Sequence, residues 1–411
     1  MEEWKRYRLG DICTIYGRIG FRGYTTEDLT SDPAEGAISL SPTNIVGGEL
    51  DLSKPTYIKW DKYEESPEIK LHPNDVVIVK TGSSVGRTSL IRDVTHPLTL
   101  NPQLVVLKDI KINPVFLSYL VKSSRFQGLL KSITVGSAIP TLSQKNLANL
   151  PVDIPNESVQ RKIADILNSL DKKILLNNRI NHNLEEQAQA LYKSWFVDFE
   201  PFKDKEFVDS DLGQIPKAWR IKHAEDICPI NIGKTPPRKE THWFSSEIAD
   251  PIWVSISDMS DCGVFIDNSA EKLTSEAIKR FNVIIVPEDS VLLSFKLTIG
   301  RVAIANRSLT TNEAIARFVT NNKPLSLYLY LALLNYDYSK LGSTSSIATA
   351  VNSKIIKAMP ILWPGSIVVE RFAESIKPMF DEIKKRQAEN RCLTALRDTA
   401  LPKLMCGQLT C

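Results

Sequence analysis

Long hydrophobic runs are absent: apolar stretches such as Val76–Val79 and residues 283–286 are far too short to span a bilayer. The N-terminal MEEWKRYRLG lacks the apolar core of a signal peptide. Cysteines are few and scattered (Cys13, Cys228, Cys262, Cys392, Cys406, Cys411), with no C-x-x-C pair, the usage of reduced thiols rather than of a disulfide framework. Cytoplasmic localisation, with no membrane partner, is the expectation. An excess of one charge is missing too: 51 basic residues against 48 acidic ones leave a net charge of +3. That balance neither demands nor excludes nucleic acid, because phosphate binding needs local Lys/Arg clusters rather than a large total.

Catalytic signatures are missing as well. No G-x-G-x-x-G or G-x-x-x-x-G-K-[ST] occurs. Residues 82–88 (GSSVGRT) are one residue short of a P-loop and carry Arg in place of Lys. Gly233-Lys234-Thr235 runs into Pro236-Pro237, which bars the helix a P-loop opens. The histidines (His72, His96, His182, His223, His242) share no metal-ligand spacing. Asn101-Pro102-Gln103-Leu104 lacks the second proline and the aromatic that would stack on a flipped base in an amino-methyltransferase. Asp93 with Asp109-x-Lys111 matches a nuclease pattern only at the level of chance. No catalytic residue, metal site or cofactor of its own is expected.

What is present is a long amphipathic helix, from about Ser158 to Trp195. Ile163, Leu167, Leu170, Ile174, Leu184, Ala188, Leu191 and Trp195 recur at spacings of four and three, with Asn177 and Asn181 as polar positions mid-seam. This is a coiled-coil stripe. With Asn156 or Ser158 as N-cap, about 38 residues make a rod of roughly 57 Å. The stripe returns 209 residues later as Phe372, Ile376, Met379, Ile383, Arg386, Asn390 and Leu393, with Pro378 expected to kink or restart that helix.

The flanking regions repeat too. Trp4 and Trp219 are 215 apart, as are Asp11-Ile12-Cys13 and Asp226-Ile227-Cys228; Asn74-Asp75 and Glu288-Asp289 are 214 apart, as are Gly86-Arg87 and Gly300-Arg301; Leu150-Pro151 and Met359-Pro360 are 209 apart. Small loop deletions produce such a drift. Within the first copy, β-branched runs at 76–80 and 104–107 read as strands, and 116–130 as a helix before a small-residue loop at 134–143. The expected fold is α+β: two mixed globular domains, each followed by a long helix, the helices paired as an antiparallel coiled coil. Antiparallel pairing sets Asn177 and Asn181 opposite Arg386 and Asn390. The expected boundaries are 1–155, 156–200 (helix), 201–212 (linker), 213–365 and 366–411 (helix).

Binding chemistry remains. The first copy carries Arg18, Arg22, Lys80, Ser83, Ser84, Arg87, Lys122 and Arg125; the second carries Lys234, Arg238, Lys239, Lys296, Thr298 and Arg301. A strand, a Ser/Thr/Gly loop, Gly-Arg and a second strand offer N–H groups, hydroxyls and an Arg fork suited to phosphates and guanine edges. Trp195, Phe196 and Phe199 are candidates for packing or partner docking. A self-sufficient methyltransferase or nuclease fusion would need motifs the chain lacks, and a scaffold without DNA readout is the other alternative.

LYKSWFVDFEPF (residues 191–202) followed by SDLGQIPKAW (210–219) closely resembles the centre of type I restriction–modification specificity subunits. LGDI (9–12), TGSSVGRTSLI (81–91) and SAIPTLSQKNLANLPVDIP (137–155) fit the same family. The resemblance implies two target-recognition domains, each reading half of a split double-stranded DNA target. It also implies a helix pair acting as ruler and docking site for two methyltransferase subunits, which bring S-adenosylmethionine, and a restriction/translocase subunit that can join them. The second copy departs at Phe295-Lys296-Leu297-Thr298-Ile299, where the first has Thr81-Gly82-Ser83-Ser84-Val85, so an asymmetric target is expected.

Overall fold

Val76–Val79 is buried at all four positions, on both faces of its strand. Such a run must be covered on two sides. In the computed structural model, which describes residues 4–136, 140–341 and 351–408, it is central to a four-stranded antiparallel sheet. The spatial order is Thr14–Tyr16, Leu104–Lys108, Val76–Val79, Thr88–Leu90. Val76, Ile78, Val105 and Leu107 pack on helices. Val77, Val79, Leu104 and Val106 meet a second sheet, ordered Leu98–Leu100, Gly36–Leu40, Tyr57–Lys59, Leu29–Thr30.

The chain divides into two units, Met1–Ile174 with Cys392–Cys411, and Leu175–Arg391. The second unit repeats the plan of the first. One sheet runs Ile230–Ile232, Ile315–Phe318, Val291–Ser294, Val302–Ala305, Phe265–Ile266; the other runs Phe244–Ser245, Glu271–Leu273, Ile252–Val254, Thr310–Thr311. In each, a two-stranded ribbon leads to the long helix: Lys5–Arg8 with Pro151–Ile154, and Arg220–His223 with Pro360–Trp363. Leu9 N donates to the Leu150 carbonyl at 2.9 Å and Ala224 N to the Met359 carbonyl at 2.9 Å.

Two details correct the sequence reading. The left-handed turn residues before the central strands are Asn74 (φ 75°) and Asp289 (φ 67°), so Asn74 corresponds to Asp289 and not to Glu288. Asn and Asp tolerate that conformation where Glu does not. The offset therefore shortens later, inside the following hairpin. Residues 116–130 are also not one helix: Pro114–Lys122 ends at Ser123, whose hydroxyl accepts from Phe126 N and starts Ser124–Ile133. Of the loop at 134–143, residues 137–139 lie outside the described residues.

The central helix is Glu157–Phe196, capped by Asn156 Oδ1, which accepts from Val159 N at 3.0 Å. The C-terminal helix is Ser366–Met405 and is not restarted at Pro378, which lies on its exposed side, where water can satisfy the carbonyl freed one turn earlier. In each unit the two helices run antiparallel. In the second, Phe196 stacks edge-on against Phe372 at 4.8 Å, while Asn177 meets Asn390. In the first, Asp171 meets Arg397, while Ile163, Ala164 and Leu167 share a core with Leu404 and Met405. Among the described residues no helix is long and apolar enough to cross a membrane.

The helix stripe is wider than a coiled-coil seam. Tyr192, Phe196 and Phe380 are buried beside Leu191, Trp195 and Met379, which are only half-buried, because here both helices pack on the second globular domain as well as on each other. Asp171, not Leu170, is the buried residue at its turn.

Candidate nucleic-acid interface

The Gly-Arg element is a hairpin in both units. In the first, Gly86 N donates to the Val79 carbonyl and Val79 N to that of Arg87, at 2.9 and 2.8 Å, closing residues 80–87. Gly86 has φ +89°, and a Cβ there would lie 2.6 Å from Gln127 Oε1. Gln127 Nε2 also donates to the Gly86 carbonyl at 3.0 Å, fixing the base of the loop. Ser83 and Arg87 are exposed, Lys80 and Ser84 half-buried. Burial pulls the Lys80 ammonium below its usual pKa.

In the second unit Gly300 N donates to the Ser294 carbonyl at 3.0 Å and Ser294 N to that of Arg301 at 2.9 Å, closing a loop one residue shorter. Lys296, Leu297 and Thr298 are exposed. Arg301, unlike Arg87, turns back: its Nη1 donates to the Ile256 carbonyl at 2.7 Å. Two residues with the same sequence signature thus face different surroundings.

Most other basic candidates are committed elsewhere. Arg18 is buried, its guanidinium donating to the carbonyls of Leu100 at 3.1 Å and Arg22 at 3.2 Å, so it braces the fold and is not presented to a ligand. Arg22 pairs with Glu68 at 3.6 Å and Arg125 with Asp153 at 2.5 Å, while Lys122 donates to the Gly48 carbonyl at 3.1 Å. Lys234 donates to the Phe281 carbonyl at 3.2 Å. Arg238 chelates Glu271 at 2.9 and 2.7 Å while lying 4.5 Å over both Phe244 and Trp253. Lys239 is exposed.

Trp195, Phe196 and Phe199 pack in one aromatic cluster, in which Phe196 is buried and Trp195 and Phe199 are half-buried. Phe196 is buried against Tyr328 and Trp219, Trp195 packs on Phe372, and Phe199, left-handed at φ 53°, lies against Trp219. Sequence reasoning missed a polar cluster in the first unit. Asp171 accepts from Tyr119 Oη at 2.6 Å and from Arg397 at 2.9 Å. One turn earlier Asn168 accepts from Arg92 at 2.7 Å. A charged residue beside an apolar stripe was its only signal. Among the described residues no group of His, Cys, Asp and Glu is placed to hold a metal ion.

The family model for the type I restriction modification DNA specificity domain matches residues 1–186 and again 216–389. The chain belongs to this family. A type I restriction enzyme MjaIX specificity subunit of Methanocaldococcus jannaschii is 27% identical over 99% of this chain and 94% of its own length. The HindI specificity subunit of Haemophilus influenzae is 23% identical over the whole of both chains. A type I restriction–modification S subunit from M. genitalium shares the fold at a TM-score of 0.56 and 14% identity, over 98% of this chain and 96% of that one. As a specificity-family member the chain confers DNA sequence specificity and is not itself the catalyst.

Proposed function

We propose that residues 1–155 and 213–365 are two target-recognition domains, each reading one half of a bipartite, asymmetric double-stranded DNA target. Residues 201–212 link the first helix to the second domain. The observation that carries this is the pair of hairpins on one scaffold, with Ser83 and Arg87 exposed in one and Lys296, Leu297 and Thr298 in the other. Tips of different length and different side chains, carried on the same pair of strands, would read different bases.

The helices, 156–200 and 366–411, act as the ruler and as the docking site for two methyltransferase subunits that bring S-adenosylmethionine; a restriction/translocase subunit can join. Forty residues at 1.5 Å each give a rod of about 60 Å, long enough for a spacer of one to one and a half DNA turns of about 34 Å. The assembly works in the cytoplasm, in keeping with the unpaired Cys13, Cys228, Cys262, Cys392 and Cys406.

The test is to express the chain with its modification subunits and map methylated adenines across a genome. One asymmetric two-part motif with a fixed spacer is expected. A palindromic motif would show that the two domains read the same half-site. Methyl transfer from labelled cofactor by the purified chain alone would overturn the accessory role.

A further inference from the structure

We propose that Leu297 reads a thymine in the second half-site by packing against its C5-methyl group in the major groove. This rests on the DNA-reading role proposed above. Leu297 is 99% exposed, the most exposed large apolar side chain among the described residues. Its backbone sits at φ +61°, and Thr298 N donates across it to the Lys296 carbonyl at 2.7 Å. That is the strained form of γ-turn, rare for a residue with a Cβ. Glycine would relieve the strain; leucine holds an isobutyl group out in water with nothing of its own domain to cover it.

The platform beneath the tip is stiff. Val291, Leu292 and Leu293 are wholly buried, Arg301 is tied to the Ile256 carbonyl, and a Cβ on Gly300 would lie 3.1 Å from the Tyr338 ring. A two-stranded ribbon fits the major groove, where the thymine methyl is the one apolar group displayed on a base edge. Lys296 and Thr298, exposed on either side, supply a cation for phosphate and a hydroxyl for a neighbouring base. In the first unit the matching tip is Ser83-Ser84, so the apolar reading belongs to the second half-site alone.

The test selects duplexes from a random library with the purified full-length chain, using DNA made with thymine or with uracil throughout. Wild type is expected to fix one thymine in one half-site and to bind the uracil duplex about fourfold more weakly, the worth of one methyl group removed from water. Leu297→Ala and Leu297→Gly should bind both duplexes equally while keeping the other selected bases. Equal wild-type binding to thymine and uracil DNA would overturn the proposal, as would undiminished discrimination by Leu297→Ala. So would 2-aminopurine brightening at the half-site with wild type but not Leu297→Ala, which would make Leu297 a wedge between bases. Selection of no sequence at all would instead overturn the DNA-reading role itself.

Discussion

Asp171 on the central helix and Arg397 on the C-terminal helix meet at 2.9 Å, with the carboxylate 9% exposed. Tyr119 Oη, from the first domain, donates to the other oxygen at 2.6 Å. A pair this enclosed matters most when one member is removed. Arg397→Met should destabilise the chain by about 2–3 kcal/mol, because Asp171 is left charged and short of a partner. Replacing both, Asp171→Leu with Arg397→Met, should return most of that loss. Urea unfolding of the two variants decides it: equal stabilities would mean the pair contributes nothing as a pair.

The two mid-seam asparagines should behave in opposite ways. Asn177 is fully buried and bonded to Glu389, Asn390 and Arg386 at 2.8–2.9 Å. Asn181 Oδ1 is buried without a hydrogen-bond partner. Asn177→Leu should therefore cost about 1–3 kcal/mol by stranding its partners, whereas Asn181→Leu should be neutral or stabilising by about 1 kcal/mol. Thermal melts of the single variants check this. An Asn177→Leu protein as stable as wild type would show that the buried polar layer contributes nothing to stability.

Arg87 and Arg301 separate in the same manner. Arg87 is exposed, while Arg301 holds the Ile256 carbonyl. Arg87→Ala should leave the melting temperature alone, weaken DNA binding, and lower the slope of log affinity against log salt by about 1. Arg301→Ala should lower the stability of its unit by about 1–2 kcal/mol. Binding titrations at several salt concentrations, beside melts, distinguish the two; an unchanged salt slope for Arg87→Ala would remove it from the phosphate contacts.

Three thiols carry a pH signature. Burial pushes Cys13, Cys228 and Cys262 up to about 12. Their folded pKa values exceed the unfolded ones, so the stabilisation is fully present below the unfolded pKa, near 9, and is lost as pH rises through the folded value. Stability should therefore fall between about pH 9 and 12. At pH 8, iodoacetamide should label the exposed Cys392 and Cys406 and spare those three until denaturant is added. Peptide mass mapping reads each site, and prompt labelling of Cys13 or Cys228 would contradict their burial.

Much of this was legible in the sequence because duplication and helical periodicity survive in one dimension. The α+β class and the two long helices followed from spacing and repetition, and their antiparallel pairing from the domain and link that intervene between them. What could not be read was exposure. Arg18 and Arg87 both stand near glycines, yet one is buried beneath Tyr24 and the other is free in solvent. Nor could seven-residue spacing show that helices bordered by the second globular domain bury Tyr192 and Phe380 in place of Leu191 and Met379. The Asn74 correspondence slipped by one because the deletion lies in the hairpin loop, where no side chain marks register.

Leu404 and Met405 close the core that Leu9, Ile12 and Phe116 begin. Of the two bodies, the one whose residues leave the ribosome first is thus completed second: its hydrophobic core waits for Leu404 and Met405, while Leu175–Arg391 already has every part it needs. Vectorial synthesis should yield a nascent chain in which Leu175–Arg391 is complete while the core around Leu9 and Phe116 is not. A chain stopped between Arg391 and Leu404 would then disturb the unit built on Leu9, Ile12 and Phe116 more than Leu175–Arg391.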